Sequence, residues 1–493
     1  MAFVKFSFII LLIACTSHAF AQNDSTKIYH ELYRPQLHFS PQAHWMNDPN
    51  GMVYFDHTYH LFFQYYPNAT VWGPMHWGHA VSPDMIHWTQ MPVALYPDSL
   101  GYIFSGSAVI DSNNTSGFGK DGKIPMVAIF THHDPKGADA GKNNYQNESI
   151  AYSLDNGATW TKYSGNPVLK NPGISDFRDP KVMWYAPQHK WLMTLAAKDR
   201  ITFYSSPNLK KWTRESDFGA TAGAHGGVWE CPDLFPLQLN GSGYWILIVN
   251  LNPGGPNGGS ATQYFVGQFD GNKFTAIDNK LRWVDYGPDE YAGITWSNTG
   301  DRKIFLGWMS NWEYGTKVPT AKWRSAMTIP RELNLKQEDG NILLSSEPVK
   351  ELDHYKAGKG SMLTSPANLP AQCMLKFKMD QIDDYAITLL NKLSEKVVIG
   401  YDRKANQYYI DRTRSGRVNF EKNFAGRFTA PRFSTQPGSD MTLVIDAASI
   451  ELFADNGLTV MTAIYFPNAP FDKVSFESAQ PIQQMLIPLK SIW

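Results

Sequence analysis

The sequence predicts an all-β protein, and two observations carry that reading. Short aromatic and β-branched runs, broken by Gly, Pro, Asn and Asp, recur from about residue 40 to the end, while helical periodicity is hard to find beyond the N-terminal segment. A hairpin signature also repeats. Ser82-Pro83-Asp84 precedes Trp88-Thr89, Ser153-Leu154-Asp155 precedes Trp160-Thr161, and Ser206-Pro207-Asn208 precedes Trp212-Thr213, with a fainter copy at Asp270-Gly271-Asn272-Lys273-Phe274-Thr275. In each, a strand ends in a Ser/Asp/Asn turn and restarts at an aromatic followed by Thr. An irregular spacing of roughly 50 to 70 residues suits propeller blades with loops of variable length, although hairpins of any all-β protein share these features.

The chain of 493 residues is long enough for about three domains, or for one large β unit and a second domain. Its 44 basic and 45 acidic residues give a net charge of −1 with no basic block, which argues against a nucleic-acid partner. Hydrophobic residues at 43% exclude a disordered chain. Aromatic residues reach 14%, and flat rings at that density suit sugar binding.

Lys5 followed by Phe6-Ser7-Phe8-Ile9-Ile10-Leu11-Leu12-Ile13-Ala14 reads as an export signal over residues 1–21. Ala19-Phe20-Ala21 offers a small-x-small cleavage site before Gln22, and Leu12-Ile13-Ala14-Cys15 offers a lipoprotein site. The expectation is an exported protein, periplasmic or extracellular, with membrane contact only through lipid on Cys15. The apolar run is about half of the roughly 20 residues a membrane span needs. Cys15, Cys231 and Cys373 are the only cysteines, so neither a disulfide framework nor a metal motif is legible.

The repeats occupy residues 35–335. Beyond Arg331-Glu332-Leu333, Trp becomes scarce and Lys, Asp and Glu appear, so residues 336–350 read as a linker and 351–493 as a second β domain. Tyr408-Tyr409-Ile410, Met441 to Ile445 and Val460 to Tyr465 read as strands, and Asp455-Asn456-Gly457 carries the Asn-Gly hairpin signal. Such strands suggest a β-sandwich.

Three acidic turns stand out. Asp48 lies in His44-Trp45-Met46-Asn47-Asp48-Pro49-Asn50-Gly51, where the Asn47 and Asn50 amides are placed to keep it ionised. Asp179 follows Arg178 in Asp176-Phe177-Arg178-Asp179-Pro180, where the guanidinium would hold its neighbour charged. Glu230 lies in Trp229-Glu230-Cys231-Pro232-Asp233, where apolar neighbours would favour the protonated form that a general acid needs. Glycoside hydrolysis uses such carboxyl pairs. Taken singly, each also has an ordinary account: a self-capping turn, a surface ion pair, a Glu closing a strand. His76, His79 and His87 match no metal spacing and read as structural.

Together the three segments resemble glycoside hydrolase family 32, the invertases, inulinases and levanases. Phe104-Ser105-Gly106-Ser107, Trp308 to Trp312 and Trp323 to Leu333 extend the likeness over residues 35 to 490, and Asp411-Arg412-Thr413 departs from the family's usual Asp-Arg-Ser only by Thr. The resemblance implies a five-bladed β-propeller followed by a C-terminal β-sandwich. It implies Asp48 as nucleophile, Glu230 as acid and then base, and Arg178 with Asp179 on the fructosyl hydroxyls. Asn47, Gln64, Trp72, Phe104 and Ser105 become subsite contacts, Trp45 and Trp312 apolar walls, and Asp285 to Ala292 a supporting motif. No cofactor or metal is implied. The expected activity is removal of terminal fructose from levan or inulin, and from sucrose. Endo-action, fructosyl transfer and binding without turnover remain as alternatives, and linkage preference stays open.

Overall fold

Each Ser/Asp/Asn turn of the repeat is the point where a sheet passes from its third strand to its fourth. Ser82 Oγ donates to Asp84 Oδ1 and Ser153 Oγ to Asp155 Oδ1, and the fourth strands begin at Thr89, Thr161 and Thr213. The protein is described by a computed structural model over residues 28–493. The expected export signal, with Cys15 and both processing sites, lies outside these residues.

Three antiparallel four-stranded sheets follow one another along the chain, Tyr102–Ile110 to Thr161–Lys162, Phe177–Tyr185 to Thr213–Phe218, and Val228–Leu239 to Phe274–Ala276. Ahead of them, the first sheet runs from His44–Phe55 to Thr89–Leu95. The fifth contains Tyr291–Thr295, Ile304–Met309, Arg331–Glu338 and Asn341–Pro348. The first strands of successive sheets touch, and that of the fifth touches that of the first. This ring makes a five-bladed propeller. It is sealed where Trp323–Arg324 pairs in parallel with His44 and Trp45, and where Ser297 N–H donates to Met52 O at 2.9 Å. Strands near the axis are covered on both faces, so Ile304–Met309 is wholly buried, whereas the outer strand Thr213–Phe218 is largely wet.

Residues 336–350, expected as linker, are mostly strand. Arg331–Glu338 and Asn341–Pro348 form the outer hairpin of the fifth sheet around Asp339-Gly340, both left-handed at φ 46° and 71°. This edge hairpin is half solvated, and its outward Lys, Gln and Glu produced the change in composition. The propeller sheets therefore extend to Pro348, and a short 3-10 helix, Lys350–Tyr355, leads onward.

Two six-stranded sheets make the second unit. Ser439–Asp446, Ser449–Ala454 and Thr459–Ile464 lie side by side in one. The second of their turns places Asp455, Asn456 and Gly457 at φ 52°, 55° and 77°, the conformation that Asn-Gly favours. Alternation is plain in Cys373–Met379, where Leu375, Phe377 and Met379 are buried while Lys376 and Lys378 are exposed.

Buried ions join propeller to sandwich. Arg331 bonds Glu451 through Nε at 3.0 Å and Asp285 through Nη1 at 2.9 Å. His38 bridges Asp446 and Glu451 at 2.7 Å each. Burial opposes the charge on His38, but the two carboxylate bonds outweigh it and push the imidazole up to about 9. Arg412, of the Asp-Arg-Thr motif, pairs with Asp289, donates to Tyr314 Oη at 2.8 Å and lies 3.8 Å from the centre of the Phe424 ring. The acidic turn Asp285 to Glu290 is therefore part of the junction.

Breaking such a pair leaves a buried charge alone, at a cost of about 3–5 kcal/mol. Arg412→Met is expected to lower the thermal midpoint by several degrees, and adding Asp289→Asn to recover part of the loss. Equal midpoints for the single and double variants would show that Asp289 does not need the cation.

Candidate active site

All five axial strands are irregular at one level. The register slips between Met46 and Pro49, Ile103 and Gly106, Arg178 and Lys181, Glu230 and Asp233, and Tyr291 and Ile294. A bulge re-aims side chains out of the ladder. The residues at or beside these slips include Asp48, Ser105, Asp179, Cys231 and, just before the slip, Arg178, Glu230 and Tyr291. Asp179, Cys231 and Ala292 take left-handed φ values of 67°, 40° and 55°. Non-glycine residues seldom adopt this geometry, and it marks a site held by its surroundings.

Neighbouring blades are linked through these residues. Asp48 Oδ2 accepts from Ser105 Oγ at 2.8 Å, and Oδ1 accepts from Asn47 Nδ2 at 2.8 Å. Asp179 Oδ2 accepts from the Cys231 N–H at 3.0 Å, and the Cys231 thiol lies 3.5 Å from both Asp48 and Asp179. Glu230 Oε1 takes a forked bond from Arg178, Nε at 3.1 Å and Nη2 at 3.0 Å, while Oε2 accepts from the Tyr291 hydroxyl. Arg178 also donates to Asp176 at 2.6 Å.

Crowded carboxyls in poor solvent resist ionisation. Burial, then Glu230, raise the Asp48 carboxyl above its usual range against the bonds from Asn47 and Ser105. Burial pushes Asp179 up to about 7, with Arg178 opposing and Glu230 and Asp48 adding to the rise. Burial, followed by Asp179 and Asp48, keeps the Cys231 thiol protonated. One cation among several acids, joined by polar hydrogen bonds between blades, is an arrangement that can attack, protonate and hold hydroxyl groups.

Residues 38–346 match the glycosyl hydrolases family 32 N-terminal domain, and residues 342–486 match the family 32 C-terminal domain. The chain belongs to glycoside hydrolase family 32. It is 44% identical to a levanase of Bacillus subtilis, over 99% of this chain and 75% of that protein. It is 40% identical to an extracellular exo-inulinase of Aspergillus ficuum over 93% of each. The crystal structure of an exo-inulinase from Aspergillus awamori superposes with a TM-score of 0.88 at 37% identity, covering 94% of this chain and all of the other.

Within this family 32 fold, several local expectations change. Trp45 is wholly buried against Trp308 and Trp312, and its indole N–H donates to Asn47 Oδ1 at 2.7 Å. It therefore braces Asn47 and forms no wall of the pit. Asn50 is also buried and makes no bond to Asp48; Ser105, from the next blade, supplies the second donor. Arg178 bonds Asp176 and Glu230, and burial outweighs its pull on Asp179, so Asp179 is not held in the ordinary carboxylate range. Trp229 turns into the core beside Phe265 and donates to Ala224 O. The Glu230 carboxylate consequently meets a cation and a phenol in place of the expected apolar neighbours.

Trp72, 41% exposed, touches Phe104 edge to face, and Phe104 stacks on His133 at 4.3 Å. Trp312 is half-buried beside Trp308, and Gln64 is buried with its amide nitrogen unpaired. His79 stacks on Phe62 and contacts His60, and His87 meets Tyr355. Tyr291 was missed as a site residue, although it stands at the end of the acidic motif; Thr131 and Glu148, behind Asp179, carry no sequence signal.

Asp179 gives a test by linkage. Its carboxyl is raised in the folded protein, so the associated stability is complete below the unfolded value near 3.8 and lost as pH rises through about 7. Asp179→Asn has no such loss. The midpoint of Asp179→Asn relative to the parent should rise between pH 4 and pH 8; a constant difference would show that the carboxyl is not perturbed.

Proposed function

We propose that the protein is an exported retaining β-fructosidase that removes terminal fructose from levan or inulin and also splits sucrose. The observation that carries this reading is the convergence of Asp48 and Glu230, 182 residues apart by their numbers: the Cys231 thiol, next in the chain to Glu230, lies 3.5 Å from both Asp48 and Asp179, and Arg178 is bonded to Glu230. Two relatives are named levanase and exo-inulinase, and their names supply the substrate class.

Asp48 attacks C2 of the terminal fructosyl unit while Glu230 gives its proton to the glycosidic oxygen, so the C2–O bond breaks as the Asp48–C2 bond forms. Water then gives a proton to Glu230 and bonds to C2, releasing Asp48 and fructose. The hydrogen bonds from Asn47 and Ser105 orient the nucleophile. A ketose has no 2-hydroxyl beside its cationic centre, and Asp179 and Arg178 are suited to hold its ring hydroxyls. Trp72 and Phe104 present apolar edges at the rim. The catalytic unit comprises the five propeller blades, with the sandwich as brace. Export takes place through the N-terminal segment, with cleavage before Gln22.

The test is to follow products from levan, inulin and sucrose over time. Fructose alone at the earliest points is expected, with Glu230→Ala and Asp48→Ala each lowering kcat by about 10²-fold or more. Early oligosaccharides would mean endo-cleavage, and unchanged turnover by Glu230→Ala would overturn the assignment. Intact-mass analysis of the exported chain reads the cleavage site, and a lipid on Cys15 would refute cleavage before Gln22.

A further inference from the structure

The bulge that presents Asp179 creates a problem of its own. Its backbone N–H is removed from the ladder of the third blade and buried, where an unpaired donor is costly. The donor turns to the second blade and meets Thr131 Oγ1 at 3.0 Å. Thr131 in turn donates to Glu148 Oε2 at 2.7 Å. Because the Thr131 oxygen accepts from Asp179, its own proton must go to an acceptor, and Glu148 is the acceptor provided. The two residues face each other across adjacent strands of the second sheet. Glu148 is completely buried, and its second oxygen has no protein partner.

We infer that Glu148 is a positioning residue: through Thr131 it fixes the left-handed backbone of Asp179, and it does so as a neutral acceptor. Two observations support neutrality. Among the described residues no cation bonds Glu148, and burial raises its carboxyl well above the usual range, with the bond from Thr131 opposing and Asp179 adding to the rise. The fourth blade also meets the same need with an amide as the acceptor. There Asn250 Oδ1 accepts the N–H of Gly293, in the bulge of the fifth blade, at 3.2 Å, and Thr262 across the sheet donates to the same oxygen. A Thr–Glu pair and an Asn–Thr pair do one job, and in each the bulge N–H is accepted by an uncharged side-chain oxygen.

The inference rests on the proposed function only for its kinetic readout. With sucrose, Glu148→Gln should keep kcat within about threefold of the parent, because the amide oxygen still accepts from Thr131. Glu148→Ala should lower kcat tenfold or more with less than a threefold change in KM. Thr131→Val, nearly isosteric and milder for folding, should lower kcat similarly, and Thr131→Ser should restore it. Hydrogen–deuterium exchange of a peptide covering 177–182 gives a readout independent of activity. Exchange should quicken in Thr131→Val and Glu148→Ala but not in Glu148→Gln. A Glu148→Gln variant as impaired as Glu148→Ala would overturn neutrality, and unchanged exchange and kcat in Thr131→Val would overturn the positioning role. If the parent hydrolyses no fructoside, the proposed function fails, and the exchange pattern alone decides this inference.

Discussion

The structure depends on one repeated distortion: every axial strand of the propeller breaks register at the same level. A regular strand would alternate its side chains between the blade's two faces, and a ring of regular strands would leave no acidic pit. At the bulges the backbone turns, and side chains from different blades meet. Arg178, Glu230 and Tyr291, each just ahead of the slip in three consecutive blades, bond one another in sequence. Asp48 and Ser105 do the same across the first two blades.

Bulging has consequences for hydrogen bonding and charge. Each freed N–H needs an acceptor, and the acceptors come from the preceding blade: Thr131 for Asp179, the Asp179 carboxylate for Cys231, Asn250 for Gly293. The blades are therefore tied edge to edge at the level of the pit. Burial first, and then crowding of the acids, raises Asp48 and Asp179 above their ordinary range, so the groups suited to chemistry are also groups the fold must hold against repulsion. A stable frame is needed around them.

That frame includes the sandwich. Arg331 and Arg412 are fully buried and reach across the junction, Arg331 to Glu451 and Arg412 to Asp289. Asp285 and Asp289 belong to the turn that leads directly into Tyr291. The junction therefore fixes the approach to the strand that supplies the phenol on Glu230.

The sequence alone determined the β class, the outer hairpins of four blades, the Asn-Gly hairpin of the sandwich and the three carboxylates. These are local signals, because a Ser-Pro-Asp turn or an acidic residue in an Asn-rich turn is set by a few adjacent residues. The fifth blade's outer hairpin was misread because a wet edge strand has the composition of a linker. Tertiary structure alone decided the partners. Alternation and burial sent Trp45 and Trp229 inward, and ring closure exchanged Asn50 for Ser105 beside Asp48. Tyr291, Thr131 and Glu148 gained their importance from strands far away in sequence. A sequence records which groups are present, but which of them meet around one bulge and accept its freed N–H is settled only when five strands converge on an axis.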